Sequence, residues 1–247
     1  MKKSLRYLLV CATILSIAIG IMAYRYYGYA TERTPYDCLQ HHDDTLRVAV
    51  IGDSWAFFHH EHDASLANML SSQTGRAVKV KTYGICGLTS KEVYQSFFDD
   101  EAMRLLLEDG ADYCFVSVGI NDTYKKIGAG YYVYHTLCIV RFLLHNHITP
   151  ILLEIPVYDI QYAYEHQTFD RKLLRQLSML VTSSPLDCRD TYRQSLRQTL
   201  DQEGLTQKVI IIDNHQWDMS LYRPDRMHLN EQGYMVLDSC MTSEILR

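Results

Sequence analysis

The sequence predicts a three-layer α/β/α sandwich around a five-stranded parallel sheet, preceded by an N-terminal transmembrane helix. Three observations predict it. Short apolar runs rich in β-branched residues alternate with longer stretches of helical spacing. Nearly every run is apolar at both odd and even positions, so both faces of each strand are covered, as in a parallel sheet between helical layers. Most runs end in Gly, Asp or Asn, the residues that turn a chain out of a strand.

The chain begins with Lys2, Lys3 and Arg6, then an uncharged apolar run from Tyr7 to Tyr24 closed by Arg25. As a helix rising ~1.5 Å per residue, this run spans about 27 Å, enough for a bilayer core. The basic flank predicts a cytoplasmic start, with the remainder in the periplasm or outside the cell. A cleaved signal peptide is the competing reading. No small-x-small site follows the run, because Ala23 is succeeded by Tyr24, Arg25 and Tyr26, so an uncleaved inner-membrane anchor is expected. The domain plan is therefore an anchor over 1–24, a tether over 25–44, and one catalytic-sized domain over 45–247.

Composition narrows the function. Of 247 residues, 47% are hydrophobic and 21% charged, and the net charge of −5 leaves no basic stripe for nucleic acid. Seven cysteines are too few for a disulfide scaffold. Cys11 lies in the apolar run, Cys114 and Cys138 read as small buried hydrophobes, and any pairing among the others stays open.

Val48-Ala49-Val50-Ile51 is the first strand, leaving through Gly52-Asp53-Ser54-Trp55. Helical spacing at Leu66, Met69 and Leu70 predicts a helix over Ser65–Thr74, stopped by Gly75. Val78–Thr82 is the second strand. Thr89 or Ser90 caps the next helix, with Val93, Tyr94 and Phe97 on one face and the helical region continuing to Gly110. Asp112–Val118 is the third strand, closed by Gly119-Ile120-Asn121-Asp122. A helix over Tyr132–His147 leads to a fourth strand at Pro150–Ile155. Helices at Phe169–Val181 and Thr191–Glu203 are separated by Ser183-Ser184-Pro185. Val209–Ile212 is the fifth strand, and a last helix runs from about Asn230.

Four strand ends carry the residue types that acyl transfer needs. In an open parallel sheet these ends gather on one edge, so distance in sequence is no obstacle to one compact site. A serine hydroxyl needs a neighbouring base, for which His228 is the candidate. Asp225, three residues earlier, suits the task of holding the imidazole in the right tautomer. The N–H groups of Ser54 and Gly87 and the side-chain amide of Asn121 are candidate oxyanion donors, each typically worth ~2.7–4 kcal/mol of barrier. Trp55, Tyr124 and Asp53 are the expected substrate contacts.

The set Gly52-Asp53-Ser54, Gly87, Gly119-x-Asn121-Asp122 and Asp225-x-x-His228 resembles the four blocks of the SGNH (GDSL-type) hydrolase superfamily. The resemblance extends from about residue 46 to the end, in matching order. It implies a flavodoxin-like sandwich, a Ser-His-Asp triad with that oxyanion hole, and esterase, lipase or carbohydrate deacetylase activity without metal or cofactor. Trp55 and Thr82-Tyr83 depart from the pattern, at positions expected to affect substrate shape. An α/β-hydrolase is excluded: its Gly-x-Ser-x-Gly elbow needs glycine at 56, which is Ala, and follows several strands rather than the first.

His59-His60-Glu61-His62-Asp63 has metal-binding residue types, but neighbouring ligands on a helix start splay apart, so no metal is expected. Tyr83, Tyr124, Tyr131, Tyr132, Tyr158, Tyr162 and Tyr164 are read equally as sugar-stacking or packing residues. The expected function is hydrolysis of an ester on a small molecule, glycan or lipid, near a membrane held through residues 7–24. An O-acyltransferase with the same residues, and a non-catalytic glycan-binding domain, are the alternatives.

Overall fold

The computed structural model describes residues 2–214 and 217–247, with side chains described from residue 7 onward. Lys2, Lys3 and Arg6, whose charges orient the expected anchor, therefore have side chains outside the described residues. The chain forms two compact units, residues 1–31 and 32–247. The first is a single helix, α1 (Lys2–Tyr27), in which Tyr7–Tyr27 is long and apolar enough to cross a membrane.

In the second unit, five strands form one parallel sheet in the order β2-β1-β3-β4-β5. They are β1 (Leu46–Gly52), β2 (Val78–Gly84), β3 (Tyr113–Ser117), β4 (Thr149–Leu153) and β5 (Ile210–Ile212). Every residue of β1 is buried, as a central strand with helices on both faces requires. On β2, an edge strand, Lys79 and Lys81 are exposed, and charges of this kind discourage further strand pairing.

Alternate residues of β1 serve different layers. Val48 and Val50 join Leu66, Leu70, Tyr234, Leu237 and Met241 in a core beneath α2 (Ser54–His59), α3 (Asp63–Thr74) and α11 (Glu231–Ile245). The other layer contains α4 (Ser90–Asp99), α5 (Glu101–Glu108), α7 (Ala129–His145) and α10 (Arg189–Gln202). Here the Phe97 and Phe142 rings meet edge to face at 5.0 Å. Three shorter or peripheral helices, α6 (Ile120–Lys125), α8 (Ile160–Glu165) and α9 (Phe169–Thr182), flank the exit of β3 and the loop beyond β4.

The helix starts are set by side chains. Thr89 caps α4 and forms a reciprocal capping box with Glu92. Asp100 caps α5, so the region expected as one helix up to Gly110 is two, because this cap resets the backbone to an extended conformation. Asn230 caps α11 by accepting the Gly233 N–H at 2.9 Å.

Of residues 25–44, expected as a tether, 32–44 belong to the second compact unit. Arg33 donates its N–H to the Tyr94 hydroxyl and pairs with Asp99. The Tyr36 hydroxyl donates to the Phe97 carbonyl, and Asn146 accepts the Cys38 N–H. Sequence pattern hides this segment because it has no periodicity; it is held by individual polar contacts to α4, α7 and the end of α5. All seven cysteines are free thiols.

Candidate active site

The sheet register aligns Gly84, Gly52 and Ser117 as one row across β2, β1 and β3. The chain leaves the sheet just past this row. In the order β2-β1-β3, the connections from β1 and β3 diverge, which is the switch point where open α/β sheets build their clefts. Gly52 is required there: with φ of +147°, a Cβ at this position would sit 2.1 Å from the Ser117 carbonyl oxygen.

Ser54 is the first residue of α2, so its N–H has no acceptor within the helix. Its Oγ lies 2.9 Å from His228 Nε2, and His228 Nδ1 lies 2.7 Å from Asp225 Oδ2. The other carboxylate oxygen of Asp225 accepts the backbone N–H groups of Met227 and His228, each at 3.0 Å. Burial pushes the Asp225 carboxyl up, but these hydrogen bonds outweigh it and hold the group below the usual carboxylate range. The Asp225 side chain is 49% exposed, against 22% for His228.

The loop that carries both residues is pinned along its length. Tyr222 and Leu229 form an antiparallel bridge, and Arg223 N–H donates to the His228 carbonyl at 2.7 Å. Trp55 Nε1 donates to the Met227 carbonyl, and the Phe58 ring meets the His228 imidazole edge to face at 5.3 Å. Arg226 pairs with Asp159 at 2.8 Å and lies over the Tyr162 ring.

Asn121 joins three strand exits. Its Nδ2 donates to the Leu88 carbonyl at 2.9 Å and to Asp53 Oδ2 at 3.3 Å. Gly87 sits in the loop after β2 with φ of +84°, and its carbonyl accepts from Lys125 Nζ. Asp122 is fully buried and accepts the Ser90 N–H and hydroxyl, tying the start of α6 to that of α4. Burial raises its carboxyl to about 6.

Two residues expected to touch substrate are corrected by their burial. Trp55 is wholly buried, with its ring stacked on Trp217 and packed against Tyr222 and its Nε1 donating to the Met227 carbonyl. Asp53 is also wholly buried, accepting from the Trp55 N–H, the Ser117 hydroxyl and the Asn121 amide. Burial raises Asp53 to about 7 although all three donors favour its charged form. Tyr124 is half-buried beneath Arg175, whose guanidinium lies 3.9 Å from the ring centroid.

Sequence reasoning missed Ser117 and Lys125. A β-strand serine and a helix-terminal lysine carry no motif, and only the folded chain brings them to Asp53 and Gly87. The tyrosines resolve mainly as packing: Tyr131, Tyr132 and Tyr158 are buried, and Tyr83 donates to Asp100. Tyr162 stacks on His166, and Tyr164 accepts from Gln176. In the histidine-rich stretch, His59 turns inward to Asp238 at 2.7 Å with both groups wholly buried, and His62 stacks on Tyr234. Among the described residues, no three metal-ligating side chains cluster.

No protein-family model and no curated relative matches the sequence. Solved structures do. An acetylxylan esterase, Axe2, from Geobacillus stearothermophilus aligns at a TM-score of 0.56 and 16% identity, covering 81% of this chain and 94% of its own. A lipase/acylhydrolase from Enterococcus faecalis aligns at 0.51 and 15% identity, over 81% and 95% respectively. A GDSL-like lipase from Bacteroides thetaiotaomicron VPI-5482 gives 0.51 and 14%, over 81% and 87%. At such identities the likeness is one of fold: five parallel strands between helices, arranged as in GDSL-type hydrolases.

Proposed function

We propose that the chain is a serine esterase that cleaves carboxylic esters through an acyl-enzyme on Ser54. The observation that carries this reading is the unbroken chain of hydrogen bonds from Asp225 through His228 to Ser54 Oγ, at 2.7 and 2.9 Å. The neighbours named as acetylxylan esterase and lipase support an ester as substrate, on a glycan or a lipid.

In this reading the steps run in order. His228, with its proton on Nδ1 toward Asp225, accepts the Ser54 proton at Nε2 as Oγ attacks the ester carbonyl. The tetrahedral oxyanion receives the Ser54 and Gly87 N–H groups and the Asn121 amide. To donate to it, the Asn121 amide gives up the longer and weaker of its two existing contacts, the 3.3 Å bond to Asp53, and keeps that to Leu88. His228 then protonates the leaving alkoxide and the C–O bond breaks. Water, deprotonated by His228, releases the acid and restores Ser54. The helix Tyr7–Tyr27 holds the chain at a membrane in this reading, with the esterase unit outside the cytoplasm.

The test is hydrolysis of p-nitrophenyl acetate and longer esters by the full chain in detergent, beside Ser54→Ala. Loss of the serine is expected to lower kcat by on the order of 10⁴–10⁶. A fluorophosphonate probe should label wild type at Ser54 and leave the variant unlabelled. Equal inertness of both proteins, with no labelling, would overturn the reading.

A further inference from the structure

Helix α9 is amphipathic in an inverted sense: its most apolar face points to solvent. Phe169, Leu173, Leu174, Leu177, Leu180 and Val181 are all between 45% and 81% exposed. At ~100° per residue, they occupy one arc of somewhat under half the helix circumference. The face turned to the protein carries instead the buried Arg175 and Ser178. Arg175 Nε donates to the Tyr124 carbonyl and Thr182 Oγ1 to that of Lys126, so α9 is seated on α6, the helix that begins beside Asn121.

A large contiguous exposed apolar face on a folded chain marks an interaction surface. Two features identify what it meets. By the same angular count, Arg171 and Lys172 fall on opposite borders of the apolar arc, where cations meet anionic headgroups; Arg171 is exposed, and Lys172 is half-buried with its ammonium on the Glu165 carbonyl at 2.9 Å. Asp170, in the first turn, is the one acid within that arc. In addition, one helix 14 residues long offers less than the roughly 800 Å² per partner that a stable dimer buries. A lipid surface sets no such threshold, because apolar area and basic flanks suffice.

We propose that α9 is an interfacial helix that lies in an anionic lipid surface with this face in the acyl boundary. Substrate esters presented by that surface then arrive beside α6. The docking of α9 rests on the lipid attachment of Tyr7–Tyr27, and the delivery of substrate rests on the proposed esterase activity.

The experiment uses the full chain in phosphatidylcholine vesicles with one-third phosphatidylglycerol, the acyl chains carrying bromine to quench nearby tryptophan. Leu177→Trp on α9 is compared with Leu105→Trp on α5, also exposed, after subtraction of the wild-type signal from Trp55 and Trp217. The expected result is a blue-shifted, strongly quenched emission for Leu177→Trp and neither for Leu105→Trp. Arg171→Gln and Lys172→Gln should each shift the docking equilibrium about fivefold toward release, and only when phosphatidylglycerol is present. Equal, weak quenching at both positions while the chain floats with the vesicles overturns the inference and leaves the anchor intact. A blue shift without quenching, together with cross-linked dimers, overturns it in favour of a second copy. A chain that fails to float overturns both attachment and docking. Ester hydrolysis enters none of these readouts.

Discussion

Asp225 is half-exposed, and in the proposed mechanism this environment defines its expected share of the work. Solvent screens its charge, so its main contribution is to fix the imidazole tautomer through the 2.7 Å bond to Nδ1. Asp225→Asn is therefore expected to lower kcat by roughly 10²–10⁴ with little change in stability, the upper end being the cost of a wrong tautomer where the aspartate is buried. Asn121→Ala removes a candidate oxyanion donor and is expected to reduce kcat by about 10²–10³, with KM nearly unchanged. Asp53 acts differently, through pH. It is held protonated up to about 7, whereas an unfolded aspartate releases its proton near ~4. Between these values the folded chain carries the extra proton, so stability falls as pH rises from about 4 to about 7. Thermal melts across that range should show the decline in wild type and a flatter profile in Asp53→Asn, whatever the variant's absolute stability.

At the scale of elements, α2 decides where Ser54, the proposed nucleophile, sits. Its first residue is Ser54, and its last, His59, is clamped to Asp238 of α11 at 2.7 Å with both groups wholly buried. Burial opposes charge on His59, but hydrogen bonds to Asp238 and Asp63 prevail and raise it. Asp238→Ala removes the 2.7 Å partner of a wholly buried ring nitrogen and leaves only Asp63 at 3.4 Å, so it is expected to lose about 1–3 kcal/mol in urea unfolding. The loop that carries Asp225 and His228 has a milder test. Trp55→Phe keeps the stacking on Trp217 but deletes the bond to the Met227 carbonyl. One hydrogen bond of that kind contributes about 1 kcal/mol, and its loss loosens the segment before His228. A fall in kcat of a few-fold, with fluorophosphonate labelling slowed but retained, is the expected outcome.

For the whole molecule, the alternation of β-branched runs with helical spacing was enough to give five parallel strands and two helical layers, because burial on both strand faces leaves no other arrangement for such runs. Ser54, Asn121, Asp225 and His228 stood out as candidates for a related reason: each follows a strand end, and parallel strands bring their ends to one edge. The short helices α6 and α8 were not legible, being too brief for periodicity to register, and neither was the packing of residues 32–44. Burial was the decisive unread quantity. Trp55 and Asp53 stand next to the nucleophile in sequence, yet a helix starting at Ser54 turns both into the core. Ser117 and Lys125 reach the site from elements whose local pattern says nothing of it. Residue types, spacing and strand order are local properties, and the sequence determined them; distance, exposure and the direction of each side chain depend on the summed packing of elements far apart in the chain, and only the tertiary structure decided those.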